Sequence, residues 1–212
     1  MWDFHTHILP GIDDGAEDME EAISMIEQLK GLGFEGVVAT PHANPMYIPA
    51  RKRLEELRNE IREKTQFPIL IGYEVAMDTF MVHDANSLTI EGTNMILVEL
   101  PWSDENFDYT SVLISLLKKG LKPILAHPER HFYINERKLE SIRATGTLIQ
   151  VNVKSLVGGY GEEIRKRALK FFPVADLVGS DAHSPEDYRL FISKGANYYE
   201  GRDFKKYKEQ EF

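Results

Sequence analysis

The segment Met1-Trp-Asp-Phe-His5-Thr-His7-Ile-Leu-Pro-Gly-Ile-Asp13-Asp14-Gly15 sets two imidazoles in an apolar, strand-like run and closes it with Pro-Gly and paired carboxylates. Trp2–Thr6 is predicted as a first strand. Positions 5 and 7 of a strand lie on the same side, so both rings can reach one ion. A histidine pair near a chain end is by itself a weak signal. It gains weight if later strands also end in ligand-type residues, and they do.

Downstream, short apolar runs alternate with helical patterns. Glu17–Leu32 carries apolar residues at 19, 22, 23, 26, 29 and 32, with acidic residues at its start and Gly33 behind it, which predicts a helix. Gly36–Thr40 is a short buried strand running into Pro41-His42, Ile48–Thr65 an amphipathic helix, and Pro68–Gly72 a third strand ending at Glu74. The stretch from Val75 to Thr93 has no regular pattern. Four more strands, Asn94–Val98, Pro123–Ala126, Thr147–Val151 and Ala175–Gly179, lead into Glu99, His127, Asn152 and Ser180-Asp181-Ala-His183. Helices are predicted over Tyr109–Lys119, Glu136–Thr145, Gly161–Phe171 and from Ser184 to about Tyr199, followed by a frayed polar tail.

Strands that are apolar throughout, separated by helices, predict a mainly parallel sheet with helices outside, in one domain over 1–212. An open doubly wound sheet and a closed barrel both fit the rhythm. The barrel is favoured because ligand-type residues follow six of the seven strands, and only a barrel brings all strand ends to one mouth. Seven strands rather than eight point to a distorted relative of the regular barrel.

The sequence contains no cysteine, which excludes disulfides, thiolate nucleophiles and sulfur-ligated metals. A formal charge of −9 argues against nucleic-acid or anionic membrane partners. No apolar stretch is long enough to span a bilayer and no cationic leader precedes the first strand, so a cytoplasmic protein without stable membrane insertion is expected. No phosphate-binding glycine loop, dinucleotide fingerprint, serine elbow or cysteine phosphatase loop is present.

The candidate metal ligands are His5, His7, Asp14, His42, Glu74, Glu99, His127, Asp181 and His183. That is too many for one tetrahedral zinc and suits two or three ions sharing a carboxylate. With no sulfur, Mn²⁺, Fe²⁺ and Zn²⁺ all fit. Asp13 and Asp14 compete for one role, which the strands alone leave open. His83 is set aside, and His131 is read as a surface or supporting residue. Arg130, just after His127-Pro-Glu, can fork onto phosphate oxygens; the competing reading is a rim salt bridge with Glu129 or a nearby helix.

With these residues in place, the chain resembles the PHP family of metal-dependent phosphoesterases, and within it the CpsB/CapC-type protein-tyrosine phosphatases of bacterial capsule and exopolysaccharide loci. The resemblance rests on DFHTHILPGIDDGA (3–16), ATPHANP (39–45), GYEV (72–75), ILVELP (96–101), AHPER (126–130) and VGSDAH (178–183). It implies a distorted (βα)7 barrel with the active site at the C-terminal strand ends. It also implies a trinuclear centre: His5, His7, Glu74 and Asp181 on one ion, Glu74 bridging to a second held with Glu99 and His127, and Asp14, His42 and His183 on a third. Arg130 then falls at the family's phosphate-binding arginine. Arg189 is nearest to a second one, and His42 or His183 is the available acid. The resemblance further implies Mn²⁺ in two to three copies, attack on phosphorus by water shared between ions, and a tyrosine-phosphorylated protein as substrate, such as a bacterial tyrosine kinase. The alternatives are a small-molecule phosphatase such as histidinol phosphatase, or a metal-stabilised binding module without turnover.

Overall fold

The structure, a computed structural model, describes residues 1–81, 83–102, 106–202 and 204. Among the described residues, seven parallel strands follow one another in chain order: β1 (Trp2–Thr6), β2 in two pieces (Gly36–Ala39 and His42–Ala43), β3 in two pieces (Ile69–Ile71 and Glu74–Ala76), β4 (Met95–Glu99), β5 (Lys122–Leu125), β6 (Leu148–Asn152) and β7 (Leu177–Gly179). β1 pairs with the first piece of β2, which pairs in turn with the first piece of β3, while the second pieces continue through β4 to β7. The ring closes where Asp181 N–H donates to the His5 carbonyl at 2.8 Å and His7 N–H to that of Ala182 at 3.0 Å. This is the distorted (βα)7 barrel.

The interruption of β2 has a local cause. Pro41 has no N–H to give to a ladder, and the second piece of β2 resumes at His42, beyond the predicted end of that strand. Pairing is carried across the gap by Gly72 N–H to the Ala39 carbonyl and Glu74 N–H to that of Pro41. β1 has its own irregularity: Asp3 pairs with Val37 and Thr6 with Ala39, three steps against two. Such a bulge re-aims the side chains beyond it. Phe4 packs in the apolar interior while its neighbour His5 serves the mouth.

Helices α1 (Met19–Gly31), α2 (Arg51–Thr65), α3 (Tyr109–Lys118), α4 (Glu136–Ala144) and α5 (Glu162–Phe171) lie close to the predicted ranges. The Asp18 side chain caps α1 by accepting the Glu21 N–H, with Glu20 and Glu21 at the positive end of the helix dipole. α2 starts at Arg51 rather than Ile48, because its capping residue Ala50, which follows Pro49, is extended. The final helical run is less regular than predicted. Pro185–Asp187 leads into a π-helical segment, Tyr188–Ile192, then Ser193–Gly195 and a 3₁₀ turn at Ala196–Tyr199.

Two sets of apolar side chains divide the strands. One packs beneath the helices, with Val37, Ile69, Ile96, Val98, Leu125, Ile149 and Val178. The other joins alternate positions, Trp2, Phe4, Val38, Met95, Leu97, Ile124 and Leu177, and fills the barrel. Phe204 completes this second set, fully buried with its ring 6.0 Å from that of Phe4. The tail after Tyr199 is therefore anchored at Phe204, contrary to the frayed segment expected there; positions 205–212 lie outside the described residues.

The loop after β1 is pressed onto the strand end. A Cβ on Gly15 would fall 1.9 Å from the His7 carbonyl oxygen, which also accepts the Ala16 N–H at 3.0 Å. Gly15→Ala is expected to cost about 1–3 kcal/mol through overpacking, read from the midpoint of urea denaturation of the metal-free protein. An unchanged midpoint would show that the loop yields freely.

Candidate metal centre

At the C-terminal ends of the strands, β1 supplies His5 and, one residue past its end, His7. β3 supplies Glu74 and the segment after β7 supplies Asp181. The Nε2 atoms of both histidines lie 3.2 and 3.3 Å from Glu74 Oε2, and each is 3.3 Å from Asp181 Oδ1. Charge-assisted hydrogen bonds are shorter, about 2.7–2.9 Å. Donor atoms about 2.1 Å from a shared ion stand roughly 3.0–3.4 Å apart along the edges of its coordination polyhedron. The two Nε2 atoms and Glu74 Oε2 are buried and have no hydrogen-bond partner. Four buried N/O donors at these spacings fit a divalent cation.

Each ring is oriented from behind. His5 Nδ1 meets Gln150 Oε1 at 3.2 Å, and His7 Nδ1 meets Asp13 Oδ2 at 2.7 Å. With Nδ1 as the donor, both Nε2 lone pairs face the cluster, the arrangement that metal-binding histidines require. Asp13 also accepts the N–H groups of His42 and Gly15. This separates the two aspartates: Asp13 supports His7 from outside, and Asp14 faces His42 and His183 at 3.4 and 3.5 Å. Donor atoms of His7, Asp14, His42 and His183 form a second group within 4.8 Å of one another.

Glu74 reaches a third side. Its Oε1 is 2.7 Å from His127 Nε2, while Oε2 is 3.1 Å from His42 Nδ1. Glu99 lies 3.8 Å from His127 and accepts the Trp102 Nε1–H at 2.8 Å. His127 and Asp181 both sit at positive φ, 29° and 54°, which costs an ordinary L-residue free energy and is concentrated at functional sites.

All nine sequence-predicted ligands therefore converge. Seven of them, Asp14, His42, Glu74, Glu99, His127, Asp181 and His183, line a cavity of about 230 Å³ together with Trp102, Arg130 and Tyr160. Arg130 does not pair with Glu129. Its Nη1 donates to Asp181 Oδ2 at 2.8 Å, and its guanidinium lies between Trp102 and Tyr160, 4.8 and 4.5 Å from their ring centres. Arg189 is elsewhere: it is exposed on the final helical run and paired with Glu186. Sequence reading missed Trp102, Tyr160, Gln150 and the liganding potential of His131. Only Asn152, at a strand end, carried a positional signal; it donates to Asp181 Oδ2 and accepts from Gln150.

Protons compensate the acidic charge in the metal-free protein. Burial opposes the His7 cation, but its hydrogen bond to Asp13 and the Asp181 and Glu74 carboxylates beside it hold its pKa well above 6.5. His127 is likewise opposed by burial and raised to about 9, chiefly by Glu74. Burial and the neighbouring Glu74 lift Glu99 to about 7. Glu74 itself is held well below 4.5 despite burial, by His5 and the other rings around it.

A parallel barrel with His and carboxylate clusters at its mouth defines a PHP-type fold equipped to coordinate metal ions. The chain belongs to the family described as "Capsular polysaccharide synthesis, CpsB/CapC", whose profile matches residues 1–212. It is 31% identical to the CapC protein of Staphylococcus aureus over 99% of this chain and 86% of that one. It is 30% identical to the tyrosine-protein phosphatase YwqE of Bacillus subtilis, over 96% and 85%. Among solved structures, one from a study of B. subtilis YwqE and Streptococcus pneumoniae CpsB as metal-dependent tyrosine phosphatases aligns with a TM-score of 0.80 and 28% identity, over 96% of this chain and 87% of that one. A phosphotriesterase homology protein of Escherichia coli shares the fold alone, with a TM-score of 0.56 and 12% identity over 86% and 82%.

The raised histidines fix a pH dependence. Each contributes stability that is fully present below about pH 6.5 and is lost as pH rises through the folded-state value, about 9 for His127. Glu99, raised to about 7, adds the same trend between its unfolded value and that pH. The metal-free protein should therefore melt at lower temperature as pH rises from 6 to 8.5. Mn²⁺ should stabilise it more over the same range, because ligation requires those protons to leave. Melting curves of chelator-treated and Mn²⁺-loaded protein test both halves. A metal increment that fails to grow with pH would contradict this charge assignment.

Proposed function

We propose that the protein is a metal-dependent protein-tyrosine phosphatase, one catalytic domain over 1–212, acting on a tyrosine-phosphorylated partner such as a kinase of capsule or exopolysaccharide synthesis. The observation that carries this reading is a guanidinium flanked by two aromatic rings against a buried cluster of N/O donors, all opening on one cavity. The family description and the phosphatase names of the relatives support it. The absence of any helix long and apolar enough to cross a membrane among the described residues accords with a cytoplasmic setting.

In this reading His5, His7, Glu74 and Asp181 hold one ion, Glu74, Glu99 and His127 a second, and Asp14, His42 and His183 a third, with Mn²⁺ the preferred metal. Divalent ions bound there supply Lewis acidity to a phosphoryl group and lower the pKa of water near neutrality. Arg130 adds donors. Its Nη1 is engaged by Asp181, while a guanidinium has five N–H bonds in a planar fork, which leaves others for phosphoryl oxygens as charge builds on them. Trp102, with its ring half-exposed, and Tyr160 hold that fork in place and give the cavity an aromatic wall.

His42 and His183 serve better as ligands than as acids. His42 faces Glu74 with Nδ1 and Asp14 with Nε2, and His183 faces the Asp181 carbonyl and Asp14. Both nitrogens of each ring are thereby engaged. A tyrosyl phenolate, with a pKa of about 10, leaves with little protonation help, so a site lacking a free acid suits phosphotyrosine better than an alkyl phosphate.

Arg130→Ala should lower kcat/KM on a phosphotyrosyl peptide by roughly 30- to 1000-fold, about 2–4 kcal/mol of transition-state stabilisation. Arg130→Lys should recover only part of it, since the charge survives without the fork. Bound metal, quantified in each sample, separates loss of a phosphate clamp from disturbance of Asp181. Retention of more than half the wild-type kcat/KM in Arg130→Ala, with metal unchanged, would remove Arg130 from the chemistry.

A further inference from the structure

We propose that His131 is an additional metal ligand, joining Glu99 and His127 around one ion. The proposal rests on reading the cluster as a metal centre and adds to it a residue outside the nine convergent ligands. His131 is only 2% exposed, and neither ring nitrogen has a hydrogen-bond partner. An imidazole carries at least one N–H donor, and in its neutral form one acceptor as well. Burying both without partners forfeits their hydration for no return. Native interiors rarely leave such a group idle without a missing water or ion.

The surroundings favour an ion. One donor atom each of Glu99, His127 and His131 lies within 4.8 Å of the other two, and all three residues are buried. Ligands of an ion at about 2.1 Å stand roughly 3.0–3.4 Å apart when adjacent and 4.2 Å when opposite, so the three donors would draw inward on binding. The loop is built to hold this spacing. The 3₁₀ turn Pro128–Arg130 brings the His127 and His131 rings to 6.0 Å with their planes within 16°. Arg167 fixes the turn from below by donating to the carbonyls of Glu129, His131 and Ile134, each at 2.7 Å. Trp102 ties the other two sides together: its indole N–H holds Glu99, and its ring lies 4.4 Å from that of His131.

Glu74, Glu99 and His127 alone give that ion three protein ligands. His131, grouped with Glu99 and His127, would add a second neutral nitrogen, which tightens binding of Mn²⁺, Fe²⁺ or Zn²⁺ and biases the site toward metals that favour imidazole. The competing account is a buried water satisfying the ring.

The test compares wild type, His131→Phe, which keeps an aromatic ring against Trp102, and His131→Gln, which keeps a polar donor and carries the test if the Phe variant folds poorly. Chelator-treated proteins are titrated with Mn²⁺ by calorimetry and with Co²⁺ by visible absorption. One class of sites should weaken by about tenfold or more in the Phe variant, with the remaining sites unchanged and the Co²⁺ spectrum altered. The Gln variant should fall between. The metal-free melting temperature of the Phe variant should not drop, because the idle polar ring has gone. Wild-type affinity, stoichiometry and Co²⁺ spectrum in both variants would assign the ring to a buried water and overturn the proposal. A wild-type protein that binds no divalent ion would overturn the metal-centre reading itself.

Discussion

Glu74 is 1% exposed and has four imidazoles around it, those of His5, His7, His42 and His127, at 2.7–3.3 Å. A carboxylate so far from water persists as an anion only where positive charge surrounds it. Much of the mouth serves that requirement. Two strands from one side of the barrel and one from the other deliver the rings, and Gln150 and Asp13 turn two of them inward. Asp181, buried as well, needs the same compensation and receives it from the histidines and Arg130. Remove the cations, whether protons or metal, and the interior holds uncompensated anions.

That requirement also accounts for backbone that ordinary packing would not choose. His127 and Asp181 sit at positive φ although neither is glycine. Conformations of that kind cost on the order of 1–3 kcal/mol each, and they persist here because the side chains are locked into the cluster from several directions. The turn after His127 is further pinned by Arg167 through three carbonyls.

The strands and most of the ligands were legible because their signals are local. A five-residue apolar run followed by His or Glu reads directly from the chain, and β1 and β4 fall within a residue of expectation. The same simplicity failed where long-range geometry decides. Asp13 and Asp14 are adjacent carboxylates, and only the folded loop shows one behind His7 and the other facing His42. Arg130 finds Asp181, 51 positions away, rather than its neighbour Glu129. Trp102 and Tyr160 resembled ordinary loop aromatics, and Arg189, chosen for its place after a motif, points to solvent. Phe204 lay in a stretch whose polar composition hid one buried ring. The breaks in β2 and β3 were half visible, since Pro41 announces one and nothing in Gly72-Tyr73 announces the other.

Those breaks divide the barrel wall into two plates. His5 and His7 ride on the plate that holds β1 and the first pieces of β2 and β3, whereas His42, Glu74, Glu99 and His127 ride on or beside the larger one. Gly72 N–H to the Ala39 carbonyl and Glu74 N–H to that of Pro41 link the chain across the interruptions, and the side-chain cluster spans the same boundary. An ion held by His5, His7 and Glu74 at once would fasten the two panels together there, as a rivet does. Loading and unloading of the centre would then alter how firmly the wall is joined as well as its chemistry.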